Sequence, residues 1–556
     1  MEKIWINSYS AGVPAEIDIN ALNSIAEYFD NAVAQYGNRR AFISGSTGVA
    51  ITYAELDRLS RQVAAYFQSV LKLPKGARVA LMMPNLLQYP ICVFGLLRAG
   101  YVVVNVNPMY TPRELEHQLK DSGAEAMVVV EIFAHTLAKV IAKTAVKHVI
   151  VTGLADMLPW AKRTLANFVI RKVKKVVPAY DLPGSIDYLT MLAQGAVAQF
   201  EPTQIGPHDL AFLQYTGGTT GVSKGAMLTH RNVLASARQG ELWIAPFRNQ
   251  DEEEISITAI PLYHIFALGM TVGGVGVGST NVLVADPRNI PGFVKVLSKY
   301  KFASLPAVNT LFNGLLNDPN FAKLDFSHLR FVMGGGAAVQ RPVAERWQAV
   351  TKVPMMEGYG LTECSPGVAI TPLDLKEFSG SVGLPMPSTD ISIRDADGHE
   401  LPIGSAGELC VKGPQVMKGY WNRPTETAAI MTEDGFLRTG DIAAMDEKGF
   451  IKIVDRLKDM ILVSGFNVYP NEIEEVVMMH PDVLEVAAVS KPDKNSAEAV
   501  KIFVVKKSPD LTEEILIKHC KNNLTSYKVP KHIEFMTELP KSNVGKILRR
   551  ELRDRA

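Results

Sequence analysis

Cysteine is scarce in this sequence: there are four in 556 residues, at 92, 364, 410 and 520, with no metal-ligand spacing. That excludes a disulfide framework and a paired-cysteine metal site, and the thiols read as buried or incidental ones in a reducing compartment. Net charge is nearly missing as well. Lysine plus arginine number 58 against 57 aspartate plus glutamate, a formal +1, so the overall balance gives no reason to bind nucleic acid. No apolar run opens the chain, because Met-Glu-Lys-Ile-Trp-Ile-Asn lacks the core of a signal peptide. Residues 265–285 go 21 positions without a formal charge, but they hold glycines at 269, 273, 274, 276 and 278 with Ser279, Thr280 and Asn281. Such a stretch makes a poor helix in lipid, and it reads as a core or ligand-pocket wall.

What is present starts with Tyr215-Thr-Gly-Gly-Thr-Thr-Gly-Val-Ser-Lys224-Gly225. Glycines free the backbone to turn several N–H groups to one side of a loop, hydroxyls add short donors, and the lysine adds a point charge. Together they suit a polyphosphate. In the Walker A loop the lysine directly follows the last glycine and precedes a serine or threonine, whereas Lys224 sits between Ser223 and Gly225. The P-loop NTPase reading therefore fails on spacing. A flexible linker would not run straight into the patterned segment from Ala226 to Ala235.

Six further motifs follow in order: Pro261-Leu-Tyr-His264, Gly334-Gly-Gly-Ala-Ala338, Glu357-Gly-Tyr359-Gly-Leu-Thr362-Glu363, Thr439-Gly-Asp441, Asp455-Arg456-Leu-Lys458-Asp459 and Pro540-Lys-Ser-Asn-Val-Gly-Lys546. With the glycine-rich loop, this series resembles the adenylate-forming superfamily, which contains acyl-CoA synthetases, firefly luciferase and peptide-synthetase adenylation domains. The block from Asp434 through Glu472, with Trp5-Ile-Asn and Met83-Pro-Asn-Leu-Leu-Gln-Tyr-Pro90, is similar to bacterial long-chain fatty acid–CoA ligases.

The patterning points to several domains. Strand-like runs at 78–83, 101–106, 127–130 and 148–152 alternate with helical segments at 85–98, from Thr111, and near 133–143. That is the signature of a helix-covered parallel sheet. Thr111-Pro-Arg-Glu114 predicts a capped helix start, and Gly123 its end. Short strands at 390–394 and 407–411 among glycines and prolines predict a small β subdomain. Beyond 455 a helix capped by Asn471, strands near 484–490 and 500–506, and a helix capped by Thr512 predict an α+β unit. The resemblance implies an α/β fold. Residues 1–455 would form a large N-terminal domain of helix-covered parallel sheets plus the small β subdomain, binding ATP and fatty acid, and 456–556 a mobile C-terminal lid.

The resemblance also implies chemistry: ATP activates a long-chain fatty acid as acyl-AMP, pyrophosphate leaves, and coenzyme A takes the acyl group. It places Thr216, Gly217, Gly218, Thr219, Thr220, Gly221 and Lys224 on the β- and γ-phosphates, Glu363 on Mg2+ and Thr362 on the α-phosphate. Tyr359 would stack on adenine, with Gly334, Gly335, Gly336 and Ala337 allowing close approach of the base. Asp441 would take the ribose hydroxyls, supported by Arg456. Lys458 matches the hinge about which the lid turns, and Lys546 the catalytic lysine that bridges carboxylate and α-phosphate. His264 would border the acyl pocket as a gate and positioning group. Singly, Glu363 also reads as a solvated loop carboxylate, Asp441 as a turn residue, Tyr359 as a core aromatic, and Arg456 and Lys458 as surface charges. Some long-chain relatives carry a gating tryptophan just after the motif histidine, where this chain has Phe266 and Leu268. Gly269–Gly278 is the candidate tunnel lining.

Residues 160–178 carry Lys162, Arg163, Arg171, Lys172, Lys174 and Lys175 and no acid, with Trp160, Leu165, Phe168, Val169 and Val176 able to share a helical face. This predicts a peripheral contact with anionic membrane, and hence a cytoplasmic protein touching the inner face of the cell membrane. Two rival functions are an acyl-adenylating enzyme that delivers to a carrier protein and an inactive lipid-binding homologue. The sequence stops at Ala556 without a carrier domain, which speaks against a peptide-synthetase module.

Overall fold

The computed structural model describes residues 2–21, 23–216, 223–248, 252–464, 466–493, 496–542 and 545–556. Four sheets organise them. In the first, the order is Ile186–Asp187, His148–Thr152, Ala126–Val130, Arg78–Met82, Val102–Asn105, Leu210–Thr216 and Lys224–Thr229. All neighbours are parallel except the last pair. The second has nine strands, and its parallel centre runs Met355–Gly360, Phe331–Gly335, Ser304–Ala307, Ile255–Thr258, Thr280–Leu283, Arg40–Ser44. Central strands such as Ala126–Val130 are buried at every position, as a sheet covered on both faces requires.

Local signals set the helix starts. Thr111 and Glu114 form the reciprocal capping box, with Pro112 inside it, and Gly123 closes the helix at φ 60°. Thr52 with Glu55 and Thr229 with Asn232 repeat the device. Two sequence readings need correction. The segment near 133–143 is not one helix: it divides into Glu131–Phe133, Ala134–Ala138 and Ile141–Lys143. Asn471 is not a cap either. Tyr469 precedes Pro470 at the helix start, and the Asn471 side chain instead donates to the Val454 carbonyl and accepts from Arg549.

Asp390–Arg394, Gly407–Lys412, Leu437–Met445 and Ile451–Arg456 form a small antiparallel sheet. Trp5 is buried and seals it, lying where a Cβ on Gly449 would come within 2.4 Å of its own Cβ. A five-stranded sheet with helices Pro470–Met478 and Glu513–Asn523 builds the C-terminal part, and Thr512 caps the second helix as expected. This part rests on helix Asn309–Leu316, where the Thr310 hydroxyl donates to the Gly545 carbonyl at 2.9 Å. All four cysteines are buried and free.

Candidate active site

A buried polar relay positions the Pro261–His264 motif. Tyr89 donates to Asn105, Asn105 Nδ2 donates to Gln214 at 2.8 Å, and Gln214 Nε2 donates to the Tyr263 carbonyl at 2.6 Å. Asn85, from the Met83-Pro-Asn motif, donates to the carbonyls of Thr258 and Ile260 and accepts from Leu262 N–H. The first sheet thus clamps the loop that leaves the second. His264 then begins helix Ile265–Gly276.

That helix lines one wall of a cavity of about 1860 Å³. Of the residues singled out in the sequence, Thr216, Lys224, His264, Gly335, Gly336, Ala337, Tyr359, Thr362, Glu363, Asp441, Arg456, Lys458 and Lys546 all line it. Gly217, Gly218, Thr219, Thr220 and Gly221 lie outside the described residues. Their flanks are nonetheless placed: Thr216 and Lys224 face each other across an antiparallel ladder, so the glycine-rich stretch joins two adjacent strand ends. Gly334 sits behind the wall, where a Cβ would meet Val339 at 2.2 Å. Gly336 needs its freedom at φ 76°.

Strand pairing assembles the next group. Asp441 and Arg456 are opposite one another on neighbouring strands, and Arg456 Nε lies 3.4 Å from Asp441 Oδ1. The Tyr359 hydroxyl donates to Asp441 Oδ2 at 2.6 Å. Burial, then the Asp441 charge, pushes the Tyr359 phenol far up, so it stays a donor. Glu363 accepts from the Tyr420 hydroxyl at 2.5 Å, and Lys224 Nζ stands 5.1 Å from the Tyr420 ring centre.

Lys546 enters from the C-terminal part. Burial first, and the nearby Arg456 guanidinium second, push its ammonium down from 10.5 to about 7, while Asp441 pulls the other way. His264 is pushed down to about 4 by burial and by Lys546, so it is neutral near pH 7. Neutrality suits positioning better than proton transfer.

The glycine stretch divides. Gly269, Gly273 and Gly274 line the cavity with Phe266, but Gly276 and Gly278 do not open a tunnel. A Cβ there would strike Tyr28 at 1.7 Å and Tyr36 at 2.7 Å, so those glycines serve packing. Leu268 is buried in the core.

Four groups escaped the sequence reading. Tyr420 holds Glu363. Asp121 accepts from both Tyr215 and Arg423. Glu357 is pushed up to about 8 by burial and accepts from Val339 N–H. Arg549 binds Asp455, Asn471 and Glu474. Of these, only Glu357 and Arg549 stood inside or beside a recognised motif.

The basic segment is not one helix. Trp160–Phe168 is α-helical and Val169–Val173 forms a wider turn. Trp160, Leu165 and Phe168 are 76%, 66% and 58% exposed, an apolar face turned to solvent. Arg171 is not a spare charge, because its Nε donates to the buried Glu131 at 2.6 Å. No helix among the described residues is long and apolar enough to cross a membrane.

The AMP-binding enzyme family matches residues 29–421, and the AMP-binding enzyme C-terminal domain matches 472–546. A long-chain-fatty-acid–CoA ligase of Escherichia coli O6:H1 is 57% identical over 557 residues, covering 100% of this chain and 99% of its own. One from Bacillus subtilis strain 168 is 36% identical over 560 residues, covering 99% and 98%. Among solved structures, ATP-bound MatB from Rhodopseudomonas palustris is similar at TM-score 0.82 and 27% identity, over 95% of this chain and 98% of that one. The anthranilate CoA ligase AuaEII in complex with anthranoyl-AMP shares the fold at TM-score 0.85 and 22% identity, over 97% and 99%.

Proposed function

The chain belongs to the AMP-binding enzyme family and, within it, to the long-chain fatty acid–CoA ligases, and we propose that the cavity described above carries out both halves of an ATP-dependent acyl-CoA synthesis. A carboxylate cannot acylate a thiol directly, because oxide would have to leave. Attack of the carboxylate on the α-phosphate of ATP forms acyl-AMP and expels pyrophosphate. The coenzyme A thiol then attacks the acyl carbon and AMP departs. Positioning and charge neutralisation supply the rate.

In this reading Thr216, the glycine-rich residues 217–221 and Lys224 hold the β- and γ-phosphates. Thr362 meets the α-phosphate. Tyr359 stacks on adenine beside Gly335, Gly336 and Ala337. Asp441, oriented by Tyr359 and Arg456, accepts from the ribose hydroxyls. Lys546 bridges carboxylate and α-phosphate, and His264 borders the carboxylate. The observation that carries the assignment is Lys546 itself: a lysine whose ammonium is pushed down to about 7 and which lines the same cavity as Asp441, Glu363 and Lys224.

Mg2+ fits the donors present. Glu363 lines the cavity with one oxygen held by Tyr420, and one carboxylate plus phosphate oxygens suits a cation that keeps its waters. Bound there, the ion would offset charge on the phosphates. The fatty acid would lie along the Gly269–Gly274 side of helix Ile265–Gly276. Each buried methylene is worth roughly 0.8 kcal/mol, so eight extra carbons contribute up to about 6 kcal/mol.

Residues 456–556 would act as the lid, turning near Lys458 between half-reactions. The exposed Trp160–Phe168 face and Lys172, Lys174 and Lys175 would touch anionic lipid from the cytoplasmic side. Pyrophosphate release from palmitate and ATP, measured with and without coenzyme A, tests the function. Thioester formation is expected. Acyl-AMP without thioester would favour delivery to a carrier protein, and no pyrophosphate at all would favour an inactive lipid binder.

A further inference from the structure

The cavity does not end in hydrocarbon. From His264 to Val277, the caps of helix Ile265–Gly276 and both lining residues, the chain advances about 20 Å, which matches an extended palmitate chain. At that far end the wall includes Glu241 on helix His230–Ile244 and Asn281 on strand Thr280–Leu283. Glu241 is 7% exposed and Asn281 2%. Glu241 Oε2 accepts from Arg238 at 2.9 Å, yet its Oε1 is buried without a partner. Asn281 Oδ1 accepts weakly from Thr258 at 3.4 Å, and its Nδ2 is likewise buried and unpartnered. Buried polar atoms without partners are rare enough to need a reason.

The two groups sit on elements that pack against neighbouring glycines of helix Ile265–Gly276. A Cβ on Gly274 would come 3.8 Å from Asn281 Nδ2, and one on Gly273 would come 3.6 Å from the carbonyl of Ala237, one helical turn before Glu241. Both glycines line the cavity together with Glu241 and Asn281, so its wall at this end carries a carboxyl and an amide donor. Burial pushes Glu241 up to about 8, which removes the objection of a buried negative charge.

On the fatty acyl ligase reading, we propose that this end is a subsite for a terminal hydroxyl, so that ω-hydroxy long-chain fatty acids are substrates of the enzyme. The hydroxyl hydrogen bonds Glu241 Oε1 and its oxygen accepts from Asn281 Nδ2. A hydroxyl serves as donor and acceptor at once, which is what an unpartnered carboxyl oxygen and an unpartnered N–H call for.

The test compares kcat/KM for ω-hydroxypalmitate and palmitate in the full-length enzyme, in Glu241→Leu and in Asn281→Leu. We expect a wild-type ratio at or above unity and a fall of about tenfold or more in each variant, because a site that hydrogen-bonds a hydroxyl discriminates far more strongly than an apolar one. A wild-type ratio below unity that neither variant changes would overturn the subsite and leave ordered water as the occupant. If a variant does not fold, the wild-type ratio decides: unity or above supports the proposal, below unity refutes it. Failure to ligate palmitate at all would instead overturn the fatty acyl reading.

Discussion

Replacing Lys546 should separate the two half-reactions. The fall of its ammonium from 10.5 to about 7, at about 1.36 kcal/mol per unit, is a penalty of roughly 5 kcal/mol on the charged form in the empty site. A carboxylate and a phosphate arriving beside it return much of that energy, most of all as charge builds in the adenylation transition state. One preorganised donor of this kind is worth about 10²–10³ in rate, so Lys546→Ala should lose at least that much in acyl-AMP formation. Reaction of coenzyme A with supplied acyl-AMP should survive, since the proposed lid rotation would have turned the lysine away by then. The pH dependence carries a sign. The protonated lysine is the active form and its pKa is depressed, so kcat/KM for adenylation should be full below pH 7 and fall as pH rises through about 7. Lys546→Arg stays charged and should lose that limb. Glu357 and Glu241 titrate near 8 but are untouched by the arginine swap, so only the lysine's limb should vanish. Burst measurements of pyrophosphate and AMP release would decide. A Lys546→Ala enzyme that adenylates palmitate at near wild-type rate, or loses both steps equally, refutes the reasoning.

Gly273→Leu should fit its Cβ at ordinary contact distance from Ala237 while filling the tunnel with four carbons. At about 0.8 kcal/mol per methylene, roughly 3 kcal/mol of palmitate binding should go and octanoate be spared, as kcat/KM against chain length would reveal. Lys458→Pro should hold φ near roughly −65° and impair thioester formation more than adenylation; equal damage would argue against a pivot there. Changing Lys172, Lys174 and Lys175 to Gln should weaken sedimentation with anionic vesicles by up to about 1 kcal/mol per charge, less so as salt is added. Arg171 is left in place because it pairs with the buried Glu131. Arg549→Met should cost about 3–5 kcal/mol by stranding buried carboxylates, seen as a lowered melting temperature of the C-terminal part.

What the sequence made legible was local chemistry with a fixed spacing. Thr111 to Glu114 specifies a capping box within one turn, and it formed. Asp441 and Arg456 could be named from their motifs, but their meeting across a β-ladder depends on register, which no short motif encodes. Gly276 and Gly278 looked like the rest of a glycine-rich tunnel wall, yet Tyr28 and Tyr36 from 240 or more residues earlier fill the space beside them. Tyr420 was invisible for a similar reason: its partner Glu363 lies 57 positions away. Helical periodicity suggested one amphipathic face over 160–176, and the α turns do expose Trp160, Leu165 and Phe168. It could not show that Arg171 bends back to Glu131.

The placement of Arg549 constrains the proposed lid movement of residues 456–556. Its guanidinium binds Glu474 and Asn471, which belong to the C-terminal part, and also Asp455, on the last strand of the small antiparallel sheet. Asp455 is fully buried and accepts from Asn471 N–H as well. A pivot at Lys458 leaves Asp455 behind while Arg549 and Asn471 travel. Rotation must therefore break both bonds to Asp455 and the Thr310–Gly545 contact, whereas the Arg549–Glu474 pair can ride along intact. If residues 456–556 act as the proposed lid, the orientation that brings Lys546 to the cavity would thus be latched by a carboxylate three residues before the pivot, on the same strand whose Arg456 pairs with Asp441. In the proposed mechanism, substrate charge gathered around Lys546 would hold that latch shut, and the departure of pyrophosphate would weaken the hold.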